Sequence, residues 1–395
     1  MQKERNKKAR VIAYYLPQFH PIPENDEWWG PGFTEWTNVA KAKPRFRGHV
    51  QPRIPADLGF YDLRLPETRE KQAELAREAG IEGFCYYHYW FGNKRQLLER
   101  PFNEVVESGK PDFPFCLCWA NHSWSSATWK NSKSKKDRVL LVKQEYFGKE
   151  DNEQHFYSLL SAFKDKRYID VDGKLLFAIY EPMAFEGCAD FIKQWRQLAE
   201  ENGLPGFHFV GLLQSSSLAS FVQNKKTGNG EESDTGKRVK EILALGFDAV
   251  VTDSKYRAQL LSKSVFHVAL HSFFTKKLGL SFPDLYKQEK INKNIFIKEN
   301  SFENVYPTIF PNWDRTPRSN DDAIFIDSTP KVFGLSLEKA ISIISKKQPE
   351  HRFVFLKSWN EWGEGNYVEP DLQYGKGYIE VMGSILNEKE PNCEL

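Results

Sequence analysis

The chain has 395 residues, 40% of them hydrophobic, enough to build one large barrel or two ordinary domains around a sizeable core. Its 55 basic and 53 acidic residues leave a formal net charge of +2, so no global basic field points to nucleic acid or an anionic membrane surface. No stretch approaches the length of a membrane-spanning helix.

In chain order, residues 11–16 form the first short apolar, strand-like run. The ten residues before it are basic. The run is too short, and too polar downstream, for the apolar stretch of a signal sequence. A long segment rich in Trp, Pro and Gly follows, 17–66. A helix is expected over 66–80, opened by Pro66 and Glu67, with Leu75, Ala76 and Ala79 apolar and Gly80 as its stop. Strand-like runs recur at 83–88, 114–119 and 174–180. Phe191, Ile192, Trp195, Leu198 and Ala199 then mark a helix over 191–200, ended by Asn202-Gly203. After the run 208–213 comes a polar, low-complexity stretch, 224–238, expected to be a loop. The rest of the chain reads as helix 238–245, strand 248–252, a mixed insertion at 254–304, strand 305–310, helix 337–345, strand 353–357 and helix 378–386.

Eight strands alternating with helices imply βαβ units and a parallel sheet. Eight such units favour closure into a (β/α)8 TIM barrel with long βα loops. Neither G-x-G-x-x-G after the first strand nor a P-loop signature is present, which removes the usual reasons to prefer an open doubly wound sheet. The chain is read as a single catalytic domain over residues 1–395, its core at 11–386, with insertions at 17–66, 224–238 and 254–304.

The five cysteines, Cys85, Cys116, Cys118, Cys188 and Cys393, show neither C-x-x-C nor zinc-type spacing. They read as reduced structural thiols, and the chain as cytoplasmic. Cys116 and Cys118 are expected on opposite faces of one strand.

Catalytic groups of a parallel barrel come from the carboxyl ends of its strands and the loops behind them. Those ends here carry aromatic, amide and carboxylate residues, while the opposite ends look plain. The candidate substrate-binding residues are Tyr14 and Gln18 at and just past the end of the first strand, Trp36 in the long loop, and Tyr87, His88 and Trp90 at and just past the end of the second. Trp119 ends the third and Asn121 and Trp124 follow it, Glu181 follows the fourth, Trp313 and Asp314 the seventh, and Asn360 and Trp362 the eighth. A flat aromatic ring covers the C–H face of a sugar while polar neighbours bond its hydroxyls. His122 is a further candidate for bonding hydroxyls, Glu35 could line a subsite or staple the long loop, and Asp314 and Arg315 could form an ion pair at the rim.

Glu361 and Glu364 form the sharpest local signal. In a helical turn, residues three apart share a face with Cβ atoms roughly 5–6 Å apart. Two such carboxylates cannot ionise independently: one keeps its proton toward neutral pH while the other stays charged. Glycosidic cleavage uses that division between an acid and a base or nucleophile. Gly363 and Gly365 permit a tight turn between them. No metal site is expected, since neither H-E-x-x-H nor a carboxylate group at ligand spacing occurs.

The segments Tyr14-Tyr15-Leu16-Pro17-Gln18-Phe19-His20, Gly32-Phe33-Thr34-Glu35-Trp36, Trp119-Ala120-Asn121 and Trp359-Asn360-Glu361-Trp362-Gly363-Glu364-Gly365 resemble the WbsX-type proteins, described as glycosyltransferases of lipopolysaccharide O-antigen clusters. More distantly, the chain is similar to glycoside hydrolase family 99, endo-α-mannosidases and endo-mannanases with a (β/α)8 barrel. That family's N-E-W-x-E-G motif matches Asn360 to Gly365. The resemblance implies that Glu361 takes the proton of a sugar 2-hydroxyl, giving a 1,2-anhydro intermediate, while Glu364 protonates the leaving oxygen. The expected function is therefore cleavage or transfer of glycosidic bonds of an oligo- or polysaccharide with retention and without a cofactor. The alternatives are a glycosyltransferase of surface-polysaccharide assembly and a non-catalytic glycan-binding barrel.

Overall fold

The computed structural model describes residues 8–126, 139–214, 231–263, 270, 273, 283–318 and 323–387. Its frame is eight strands: β1 (Arg10–Tyr15), β2 (Gly83–Trp90), β3 (Phe115–Trp119), β4 (Lys174–Ile179), β5 (Phe207–Gln214), β6 (Ala249–Asp253), β7 (Val305–Ile309) and β8 (Phe353–Leu356). Each pairs in parallel with the next, and β8 returns to β1 through Arg10↔Phe353 to Ala13↔Leu356. The sheet is a closed (β/α)8 barrel. All eight expected runs are present, with ends displaced by no more than two residues.

The loop after β1 carries two short helices, α1 (Pro23–Trp29) and α2 (Glu35–Lys41). The outer helices begin with α3 (Pro66–Glu78), α4 (Arg100–Ser108) and α5 (Lys149–Ser158). They continue through α6 (Cys188–Glu201), α7 (Glu231–Ala244), α8 (Lys255–Ser262) and α9 (Gln288–Asn294) to α10 (Pro330–Ile344) and α11 (Gly377–Asn387). Their punctuation is local chemistry. Proline, lacking the donor that a first turn leaves orphaned, opens α3 and α10, and the Thr329 hydroxyl accepts from Val332 N at the start of α10. The expected loop at 224–238 is corrected in its second half, because residues 231–238 belong to α7. Residues 224–230 lie outside the described residues.

Strand alternation divides the side chains between the barrel interior and the shell. On β2, Tyr87 and Tyr89 point inward, while His88 and Trp90 point out toward His155 on α5. On the shell side, Trp195 of α6 packs against Phe177 and Phe207 of β4 and β5. Cys116 and Cys118 share one face, both against Cys85, which corrects the expectation of opposite faces: residues two apart on a strand point the same way. The four described cysteines are free and buried; Cys393 lies outside the described residues.

The amino end of the barrel is not plain. Arg10 bridges Glu82 at 2.7 Å and Glu350 at 3.1 Å. The Tyr306 hydroxyl lies 3.2 Å from His208 Nε2 and 2.9 Å from His351 Nδ1. These contacts satisfy polar groups where the barrel closes below. Among the described residues, no helix is long and apolar enough to cross a membrane.

Candidate active site

After β8 the chain turns across the barrel mouth through Asn360–Glu361 and a single 3₁₀ turn, Trp362–Glu364. Asn360 ties this segment to the end of β1: its Oδ1 accepts from Leu16 N at 2.7 Å and its Nδ2 donates to Leu16 O at 3.0 Å. The Trp362 indole donates to Glu369 at 2.6 Å, and its ring stacks on Tyr367 with centroids 3.7 Å apart. The two glycines have different reasons. Gly365 adopts φ +53°, the left-handed region. Gly363 is needed for close approach, because a methyl group there would overlap the Glu35 carboxylate.

The turn puts Glu361 and Glu364 over one guanidinium. Arg318 Nη1 lies 2.8 Å from Glu364 Oε1 and 3.6 Å from Glu361 Oε1, while Arg318 Nε holds Glu35 Oε1 at 2.8 Å. Arg315 Nε adds a contact to Glu364 at 3.1 Å. Burial pushes the Glu361 carboxyl up to about 7, helped by the charge of Glu364 and opposed by Arg318 and Lys357. Burial acts on Glu364 in the same sense, but Arg315, Arg318, Lys255 and Lys357 outweigh it and hold that carboxyl at about 2. Burial thus favours the protonated form of Glu361, and the surrounding cations favour the ionised form of Glu364.

The pair opens into a cavity of about 480 Å³. Trp28, Tyr89 and Trp124 form an aromatic wall, with Trp124 5.0 Å from Tyr89 and 6.2 Å from Trp28 between centroids. Across from it stand Tyr180, Lys357 and Asp253, in which Lys357 Nζ meets Asp253 at 3.0 Å and the Tyr180 hydroxyl at 3.4 Å. Burial and the neighbouring Lys357 hold the His122 imidazole down at about 4, so it faces the cavity neutral, able to both donate to and accept from hydroxyls.

Of the expected residues, Glu361, Glu364, Gln18, Tyr87, Trp124 and Trp313 line this cavity, and so do His122 and Arg315. Tyr14 lies below it, stacked on Tyr87 at 5.4 Å. The others support the site from behind. His88, Trp90 and Trp119 sit on the shell side of their strands, around His155. Asn121 accepts from Glu181 N at 2.7 Å and so braces the loop after β4; it is the backbone of Glu181, not its carboxylate, that this contact uses. Trp36 donates to Tyr61 O and packs on Trp362. Asp314 is fully buried between His49, Gln51 and Thr316, and Arg315 turns instead to Glu364, so the rim ion pair is corrected. Trp313 presents its ring to Lys255 Nζ, 2.7 Å from the centroid, rather than as an open platform. Glu35 proves to be a staple, with its carboxylate buried on Arg318.

Lys255, Asp253, Lys357, Tyr180 and Arg318 were missed. Asp253, Lys357 and Tyr180 continue the inward alternation of β6, β8 and β4, a signal the sequence does contain. Arg318 comes from the loop after β7, and only the fold brings it to Glu361. Among the described residues, no group of three or more His, Cys, Asp or Glu is arranged to hold a metal ion.

A closed parallel barrel with two inward-facing acids at its carboxyl mouth, beside aromatic walls, has the architecture of the carbohydrate-active (β/α)8 proteins. The chain belongs to the glycosyltransferase WbsX family, whose model matches residues 11–382. It is 32% identical over 381 residues to the uncharacterised protein WxcX of Xanthomonas campestris pv. campestris strain B100, and equally to that of strain ATCC 33913. The match covers 96% of this chain and 50% of each relative, so the chain spans about half the length of the curated relatives it matches. Among solved structures, a glycoside hydrolase-like protein superposes with a TM-score of 0.55 at 14% identity, covering 97% of this chain and 95% of the other. The GH99 endo-alpha-mannosidase of Bacteroides thetaiotaomicron gives 0.51 at 12% identity, covering 95% of both chains. At those identities the likeness is one of fold.

Proposed function

We propose that this chain is an enzyme that cleaves or transfers glycosidic bonds of an oligo- or polysaccharide with retention, using Glu361 and Glu364 as its acid–base pair. The observation that carries this reading is the shared guanidinium: two carboxylates on one cavity wall, one pushed up by burial and the other held down by its arginines. The α-mannoside chemistry of family 99 fits such a pair. A 2-hydroxyl anti to the leaving group gives up its proton, its oxygen closes on C1, and the leaving oxygen is protonated. Water or an acceptor then opens the 1,2-anhydro ring with the two proton transfers reversed.

The proton division favours Glu361 as the donor to the leaving oxygen and Glu364 as the carboxylate that faces the 2-hydroxyl. A carboxylate held by two arginines is ionised before substrate arrives, so it has no proton to give the leaving oxygen, although the same cations also make it a weak base. Product analysis by NMR on a panel of bacterial and yeast polysaccharides tests the activity, and leaving-group dependence tests the roles. An aryl glycoside with an acidic phenol needs little protonation, so Glu361→Gln should keep most of its turnover on that substrate and lose at least 100-fold on a polysaccharide. Glu364→Gln should lose on both. Rescue of Glu364→Gln alone would restore the order implied by the family resemblance.

A second reading, transfer from a phosphate-activated sugar in surface-polysaccharide assembly, is favoured by the family to which the chain belongs and by the cations of the cavity. Tight binding of a nucleotide sugar without hydrolysis of any glycan would select it.

A further inference from the structure

Four cationic side chains reach the cavity: Lys255, Arg315, Arg318 and Lys357. Arg315 and Arg318 are paired with Glu364, Arg318 also with Glu35, and Lys357 with Asp253. Lys255 differs. Among the described residues, no carboxylate comes within ion-pair distance of its Nζ, which rests on the Trp313 face, 2.7 Å from the ring centroid.

The position of Lys255 on its helix adds an independent observation. It is the first residue of α8 (Lys255–Ser262), whose amino end meets the cavity through Lys255 and Tyr256. A helix amino terminus carries partial positive charge, so a lysine there has the unfavourable sign. Asp253 relieves part of this by accepting from Lys255 N at 3.2 Å, but its other oxygen is engaged by Lys357. The groups facing the ammonium are Asp253 and Lys357 from the ends of β6 and β8, Trp313 and Arg315 from the loop after β7, and Glu364 from the 3₁₀ turn. Burial holds the Lys255 amine down at about 8, as expected of a cation that lacks a close counterion.

We propose that Lys255, with the amino end of α8 and the Trp313 ring beneath it, forms a subsite for an anionic group on the substrate, a carboxylate or a phosphate. The proposal rests on the reading of this cavity as the sugar site and adds its substrate class: an acidic sugar unit or a phosphate-activated one. An incoming anion would supply the counterion that the lysine lacks and would meet the helix end with the favourable sign.

Calorimetric titration of the full chain tests this with three probes: D-glucuronate, inorganic pyrophosphate and neutral D-glucose. At least one anion should bind ten times more tightly than glucose. Lys255→Met should abolish that preference, while Lys255→Arg, which keeps the charge, should retain it within a few-fold and controls for folding. Preference for glucuronate identifies a uronic acid unit; preference for pyrophosphate identifies a phosphate donor. Equal binding of all three probes, or an unchanged anion preference in a folded Lys255→Met, overturns the proposal. Glu361→Gln should still bind the anion. Full glycan turnover in that variant would count against the acid–base reading without touching this one.

Discussion

Arg318 is the residue through which the site is organised. Its planar guanidinium reaches Glu35 through Nε and both cavity acids through Nη1, a geometry that a point-charge ammonium cannot reproduce. Arg318→Lys should therefore cost at least tenfold in turnover and raise the pKa of Glu364, seen as an acid limb displaced to higher pH in the rate profile. For Glu361 the folded carboxyl lies above its unfolded value. The folded protein thus holds the extra proton between about pH 4.5 and 7, and the stability this gives is full below that window and is lost as pH rises through it. Glutamine has no proton to lose, so Glu361→Gln should gain stability relative to the wild type between pH 5 and pH 8 in thermal melts. A parallel decline of the two proteins would contradict a protonated Glu361. If Glu361 is the acid, turnover should also fall as pH rises through about 7.

At the scale of elements, the βα loops and strand ends supply the chemistry, and strand parity decides which residues take part. Tyr87 faces the cavity; His88 and Trp90, its neighbours on the same strand end, face α5. Position along the chain was legible in the sequence, because apolar runs and helix stops mark each strand. Facing was legible too, once Tyr87 and the Glu361 segment fix the inward set. What the sequence could not supply is the partner of a loop residue. Glu35 and Arg318 are separated by 283 positions and meet only because α2 and the loop after β7 converge behind the 3₁₀ turn. The motif explains itself only at that level: Gly363 has no side chain because the Glu35 carboxylate occupies the space. Gly363→Ala should displace Glu35 from Arg318, lower the melting temperature by several degrees and cut turnover at least tenfold, although alanine suits the local backbone. Normal activity in that variant would remove the staple from the account.

Across the whole molecule the barrel divides its polar residues by task. The carboxyl mouth gathers its charges around a cavity, whereas the amino end ties its charges to each other. Arg10→Met should therefore cost about 1–3 kcal/mol, because Glu82 and Glu350 keep some water contact, and should leave turnover per folded molecule unchanged. The curated relatives extend to about twice this length, so the barrel is one part of their architecture. The most direct measurement is NMR-followed digestion of a polysaccharide panel by the wild type, Glu361→Gln and Glu364→Gln. The account predicts a product of retained anomeric configuration from the wild type and at least a 100-fold loss in each variant with the fold intact. Wild-type rates in both glutamine variants would contradict it.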